Sequence, residues 1–125
     1  MAFAAELVNA HAASPAAARH MNGNINLTVS GAGTTQTDAT ALTTLASNLV
    51  VTTCADGAGV LLPAASIGDE CCIYSAVSGN QVIIYPDSGA AINQLAANSG
   101  MRLSPYTAVL LRRVSSTQWI GWMSA

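Results

Sequence analysis

Residues 68 to 93 read G-D-E-C-C-I-Y-S-A-V-S-G-N-Q-V-I-I-Y-P-D-S-G-A-A-I-N, and this stretch decides the fold class. It contains two apolar runs, at 70–76 and 81–85, separated by the polar turn S-G-N. A P-D-S-G turn then leads to a shorter run at 90–95. Runs rich in β-branched and aromatic residues, bounded by Gly, Pro, Asn and Asp, predict β-strands. The first two runs are apolar on both faces, which is typical of strands covered by a layer on each side.

The same strand signals extend to both sides of this stretch. Further strands are predicted at 24–30, 49–54, 60–62, 101–103, 107–114 and 118–123. With the three runs above, this makes about nine short strands, the pattern of a single mainly β domain that is a sandwich or a barrel, jelly-roll types included. No exact internal repeat occurs, which disfavours a propeller or a solenoid.

Local patterns give two more detailed predictions. Alternation in N-I-N-L-T-V-S predicts that Ile25, Leu27 and Val29 point into the core. The dipeptide Asp56-Gly57 is a turn signal and predicts a β-hairpin between the strands that flank it. Residues 39 to 46 are expected to be extended or irregular.

The N-terminal segment differs from the rest of the chain. Residues 1–23 are predicted to form a short helical arm, and residues 24–125 the β domain. Phe3, Leu7 and Ala10 share one helical face. Because such short helices are not stable alone, the arm must pack on its own domain, on a neighbouring subunit or on a partner.

The composition is unusually poor in charge. Only 8% of the 125 residues are charged, against about 25% in ordinary domains, and the net charge is -2. One explanation is a surface coated with Ser, Thr, Asn and Gln. The other, which we favour, is that other subunits cover much of the surface, since obligate interfaces are apolar and depleted of charge.

Nucleic acid and membranes are not expected as partners. Phosphate binding needs clustered cations, whereas Arg112 and Arg113 are neighbours in a strand and point to opposite faces. No apolar run is long enough to span a bilayer. The N-terminus lacks a basic region and carries Glu6, so it does not resemble a signal peptide, and we expect synthesis in a cytoplasm.

The cysteines predict neither a metal site nor a disulfide framework. Cys54 stands alone, and the adjacent Cys71 and Cys72 must face opposite ways in a strand. We expect free thiols that act as small apolar side chains. There is no C-x-x-C motif, and His11 and His20 are distant in sequence, so no metal or other cofactor is expected.

An enzyme is also not expected. Nearly all acidic residues fall in predicted turns or strand starts, where they shape the backbone. The string Asp87-Ser88-Gly89 follows a proline and is interpreted as a turn rather than a nucleophile. Both histidines lie in the predicted arm, away from the β domain.

Several segments together resemble small virion proteins of tailed bacteriophages. These are A-E-L-V-N-A-H-A-A-S-P-A-A-A-R-H, G-A-G-T-T-Q-T-D-A-T, N-L-V-V-T-T, G-A-G-V-L-L-P-A-A-S-I-G-D, Y-P-D-S-G-A-A-I-N and T-Q-W. The pattern is similar to head-decoration (cement) proteins and to domains of tail or fibre proteins. It covers most of the chain, and Cys71-Cys72 departs from it.

The resemblance implies a β-sandwich or jelly-roll-like subunit, commonly trimeric, that binds the major capsid protein on the outer head. Its expected location is therefore the virion surface. The alternative is a tail or fibre knob that binds a host receptor or glycan. Candidate contacts with a partner or another subunit are Phe3, Leu7, Val8 and Met21 in the arm and Trp119 and Trp122 in the last strand. The two tryptophans are expected on opposite faces of that strand.

Overall fold

A computed structural model describes residues 25–42 and 48–124, and this part of the chain is mainly β, with ten strands and no helix. The predicted arm at 1–23, with its candidate contacts Phe3, Leu7, Val8 and Met21, lies outside the described residues. The strands are β1 (Ile25–Gly31), β2 (Thr40–Ala41), β3 (Asn48–Cys54), β4 (Gly59–Leu61), β5 (Glu70–Ser75), β6 (Val82–Tyr85), β7 (Ala91–Ile92), β8 (Met101–Leu103), β9 (Ala108–Ser115) and β10 (Gln118–Met123).

The strands form two sheets, and the chain passes from one sheet to the other at each step from β1 to β9. The six-stranded sheet has the order β1-β3-β5-β9-β10-β7, and the four-stranded sheet has the order β2-β4-β6-β8. The first six strands pair only in parallel with one another, whereas β8 and β9 add antiparallel to β6 and β5. The described strands therefore begin as a short parallel coil, and the later strands add antiparallel pairs, although β10 pairs with β7 in parallel as well as with β9 in antiparallel.

This winding corrects two predictions. The hairpin expected at Asp56-Gly57 is absent, because β3 and β4 lie in different sheets. The turn from Ala55 to Ala58, closed by a 2.9 Å backbone hydrogen bond, instead carries the chain around a corner. Strands β1, β3 and β5 begin at residues 25, 48 and 70, a spacing of about 22 residues that is typical of coiled architectures. The repeat lies in spacing rather than in residue identity, so a search for an exact sequence repeat does not reveal this winding. A jelly roll, whose neighbouring strands are antiparallel, does not describe the first six strands.

The predicted organising stretch matches the structure closely. Its two runs are β5 and β6, and in β6 both Ile84 and its neighbour Ile83 are buried, so the expected burial on two faces is confirmed for this strand. Side chains from both sheets meet in one core. Its largest fully buried members are Trp119, Leu62, Ile73, Ile84, Ile92, Leu103, Leu111, Val51, Val60, Val82 and Val109.

The inward alternation expected in the first strand fails at Leu27, and the side chain of Ile25 lies outside the described part of the structure. Val29 is buried, but Leu27 is 64% exposed. The pairing of β1 with β3 shifts register between Asn26 and Val29, and the Thr28 N–H donates to the Asn26 side chain at 3.2 Å. A register shift moves side chains to the other face, so the two-residue period does not extend through β1.

Candidate interaction surface

Apolar side chains are exposed together on the outer side of the six-stranded sheet. Cys72, Leu110 and Trp122 are paired directly across the neighbouring strands β5, β9 and β10. Trp122 is 54% exposed and Leu110 is 39% exposed. Tyr74, 38% exposed, lies two residues along β5 on the same side of the sheet. We call the outward side chains of these three strands the apolar face.

The apolar face carries one pair of opposite charges. Arg112 lies across from Glu70 on one side and from Ile120 on the other. The Arg112 Nη1 and Glu70 Oε1 atoms are 3.9 Å apart, and the two side chains are 53% and 43% exposed. A long, solvated ion pair of this kind contributes little to the stability of a single chain. The charges therefore remain available to a second surface.

On the neighbouring strand β3, the described side chains begin at the buried Val51, and Thr52 and Thr53 after it are exposed. Hydroxyl side chains therefore lie at this end of β3. An apolar centre with a polar rim is the arrangement found in protein–protein interfaces.

The two tryptophans point in opposite directions from β10, as predicted. Trp119 is fully buried in the core, whereas Trp122 lies on the apolar face. Trp119 is therefore a core residue rather than a contact residue. Of the six candidate contacts from the sequence, Trp122 is the one that the described structure places on an exposed apolar surface.

A buried polar cluster lies on the opposite side of the same hairpin. The Arg113 side chain, 5% exposed, donates from Nη1 to Asp87 Oδ1 at 2.6 Å, and Trp119 Nε1 donates to the same oxygen at 2.9 Å. Arg113 also donates to the carbonyl oxygens of Ser115 and Ser116, and its guanidinium lies 5.3 Å from the centroid of the Trp119 ring. All of these partners lie within the same chain, so the cluster joins the Asp87 turn to the hairpin of β9 and β10.

This cluster agrees with two predictions and reveals a role that sequence reasoning missed. Arg112 and Arg113 do point to opposite faces, and Asp87 does lie in a turn, where its carbonyl accepts a 3.0 Å hydrogen bond from Ala90 N–H. The missed feature is that Asp87 neutralises a buried arginine. The only sequence signal was an arginine at an inward position of a strictly alternating strand.

A shallow groove of about 300 Å³ opens on the four-stranded sheet, and two of the polar side chains that line it are already paired. Tyr85 Oη donates to the Thr34 carbonyl at 3.1 Å, and Arg102 Nη1 donates to Gln81 Oε1 at 2.9 Å. The groove is lined by Thr34, Gly57, Ile83, Tyr85, Gly100 and Arg102. Among the described residues, this lining contains no carboxylate, histidine or cysteine, and the hydroxyl of Tyr85 already donates to a backbone carbonyl.

The cysteines are free thiols in environments that suppress their reactivity. Cys71 is fully buried and Cys72 is half-buried on the other face of β5, as expected for neighbours in a strand. Burial raises the pKa of the Cys71 thiol to about 12, with Cys72 adding a smaller electrostatic effect. Burial also raises the pKa of Cys54, with a contribution from Asp56. Since the thiolate is the nucleophile and the metal ligand, these shifts disfavour both roles.

No cluster of three or more His, Cys, Asp or Glu side chains with the geometry to hold a metal ion occurs in residues 25–42 and 48–124. Within the same ranges, no helix is long and apolar enough to cross a membrane.

No protein-family model matches the sequence, and comparison with curated proteins finds no match.

Proposed function

We propose that this protein is a bacteriophage capsid decoration protein, a β-sandwich subunit with a short helical N-terminal arm. In this proposal it binds the major capsid protein on the outer head as a homotrimer, after synthesis in the host cytoplasm. The observation that carries the proposal is the apolar face of β5, β9 and β10 on a chain with only 8% charged residues. The resemblance of the sequence segments to phage virion proteins supports it.

The proposed role needs surfaces rather than reactive groups. A decoration protein ties neighbouring capsomers together, and several weak contacts per assembly combine into tight binding through effective concentration. Such a subunit requires one surface for its own copies and another for the capsid. The apolar face can serve the first purpose, and the arm at residues 1–23 remains a candidate for either.

The test is a comparison of virions with and without the protein. Quantitative mass spectrometry should find hundreds of copies per particle, and stripped particles should rupture at a lower temperature than intact ones. Adding purified protein back should restore the original rupture temperature. If stripped and intact particles rupture together, the proposed cement role is wrong.

A tail or fibre knob that binds a host receptor or glycan is the second candidate. One observation favours it, namely the exposed indole of Trp122, since aromatic side chains combine a large apolar area with a polar tip. A knob should be present in few copies at one vertex and should bind host cells or glycans, with binding lost in Trp122→Ala. High copy number over the whole head would exclude it.

A further inference from the structure

We propose that the apolar face of β5, β9 and β10 is the interface between copies of this chain. Its occupant is the same face of neighbouring copies around a symmetry axis. This inference rests on the proposed homotrimer, and it adds the surface and the residues that hold the trimer together. Leu110 and Trp122 form its centre, and Glu70 and Arg112 flank them.

The extent of the exposed apolar area supports an interface. With full side-chain areas of roughly 200 Å², the exposed fractions of Tyr74, Leu110 and Trp122 leave on the order of 300 Å² of contiguous surface. A patch of this size is comparable to the largest on a typical monomer and often marks a binding site. A stable interface buries about 800 Å² per partner, of which a compact apolar centre is the energetically dominant part.

The charges on the face favour a second copy over an unrelated partner. The face presents one cation and one anion, Arg112 and Glu70, which are only loosely paired at 3.9 Å. In a cyclic assembly, Arg112 of each copy can approach Glu70 of the partner subunit, so every charge finds an opposite one. A face that is both apolar and internally balanced in charge is therefore complementary to itself.

An exposed aromatic residue with a positive φ lies at the end of β5. Tyr106 has a φ of 58°, which bulky residues rarely adopt, and it is 59% exposed. Its N–H donates to the Ser75 carbonyl at the end of β5, next to Tyr74. Glycine would occupy this backbone conformation without strain. An exposed tyrosine in this conformation is a further candidate for contact with a neighbouring subunit.

The first test is the oligomeric state of two matched variants. Leu110→Glu places a charge in the centre of the face, whereas Leu95→Glu places the same charge at a leucine of similar exposure, 39% against 42%, in a turn after β7. In size-exclusion chromatography with light scattering, wild type and Leu95→Glu should be trimers. Leu110→Glu should be a folded monomer by circular dichroism, with association weakened by about 100-fold or more.

A charge-reversal experiment tests the contact between chains without disturbing the apolar centre. Arg112→Glu gives a face with two anions, and Glu70→Arg gives a face with two cations. Each variant alone should associate at least about tenfold more weakly than wild type. An equimolar mixture of the two should form mixed trimers, because two of the three contacts in a mixed trimer join opposite charges. If mixing leaves both variants unchanged, the charges do not meet across an interface and the proposal fails.

Binding to stripped heads is measured separately, so that the two proposals can fail independently. A monomeric Leu110→Glu supports the interface whether or not the wild-type protein binds heads. A Leu110→Glu that stays trimeric but loses head binding assigns the face to the capsid and overturns the inference. A wild-type protein that is a 12.7 kDa monomer at high concentration also overturns it.

Discussion

Replacing Asp87 by alanine tests whether its buried ion pair with Arg113 stabilises the packing of the Asp87 turn against the β9–β10 hairpin. Asp87 Oδ1 accepts hydrogen bonds from Arg113 at 2.6 Å and from Trp119 Nε1 at 2.9 Å. The Arg113 side chain is 5% exposed and the Asp87 side chain 19% exposed. The substitution therefore leaves a buried cation without its counterion and a buried indole N–H without its acceptor.

The expected loss of stability is large for a domain of this size. Removing one partner of a buried ion pair costs about 3–5 kcal/mol, which includes the unpaired charge. The orphaned Trp119 N–H alone would cost about 1–3 kcal/mol, but the two effects overlap because they share one oxygen. Two carbonyl oxygens still accept from Arg113, and the 19% exposure of Asp87 gives water some access. We therefore expect a loss of about 4 kcal/mol in the free energy of unfolding, out of roughly 5–15 kcal/mol.

The assay is urea denaturation at neutral pH, followed by far-UV circular dichroism and tryptophan fluorescence. The control is Asp56→Ala, which removes an exposed turn carboxylate that accepts a single 3.1 Å hydrogen bond from Gln81 N–H. It should cost about 1 kcal/mol or less. Adding Arg113→Met to Asp87→Ala should recover part of the loss, because the unpaired charge is then gone.

Two results would refute the reasoning. The first is an Asp87→Ala variant that is no less stable than Asp56→Ala, since the carboxylate would then not neutralise a buried charge. The second is an Arg113→Met/Asp87→Ala double variant that is as unstable as Asp87→Ala alone. That result would attribute the loss to the turn itself rather than to the uncompensated guanidinium.

Three further predictions concern the core and the thiols. Ile84→Asp, at a fully buried position of β6, should lower the free energy of unfolding by more than about 4 kcal/mol, and a variant that melts like wild type would contradict the placement of this strand. Gly59→Ala should cost about 1–3 kcal/mol in urea denaturation, because a Cβ there would lie 2.3 Å from the Ile83 carbonyl oxygen; an unchanged midpoint would mean that the two strands can separate. Because the pKa of Cys71 is raised to about 12 in the folded state, against about 8.5 when unfolded, the stability that the neutral thiol confers is complete below about pH 8.5 and is lost as the pH rises toward 12. Between about pH 9 and 11, the free energy of unfolding should therefore fall less for Cys71→Val than for wild type in urea denaturation. If it falls equally with pH in the two proteins, the thiol is not kept neutral by burial.

Local patterns in the sequence were sufficient to locate most strands. The runs at 70–76 and 81–85 correspond to β5 and β6 within a residue at each end, because residue type and turn chemistry act over a few neighbours. The opposite orientations of Cys71 and Cys72, and of Trp119 and Trp122, follow from the alternation of side chains along a strand.

The pairing of those strands was not predictable from the same patterns. Asp56-Gly57 fits a corner between two sheets as well as a hairpin, because a turn sequence specifies local dihedral angles and not which strand follows as a neighbour. The parallel coil depends on contacts between strands about 22 residues apart, and no residue repeats at that spacing to reveal it. Leu27 was misplaced because a register shift in β1 interrupts the alternation.

The apolar face shows most clearly which features the sequence determined and which only the tertiary structure decided. The sequence by itself predicted that the two tryptophans of the last strand lie on opposite faces, and it fixed the charged fraction of the chain at only 8%. Only the tertiary structure decided which face is the core, since that depends on where the second sheet packs. It also brought Asp87 to Arg113 across 26 positions of sequence, which allows an arginine to be buried in the hairpin and leaves the opposite, apolar face of the same strands open.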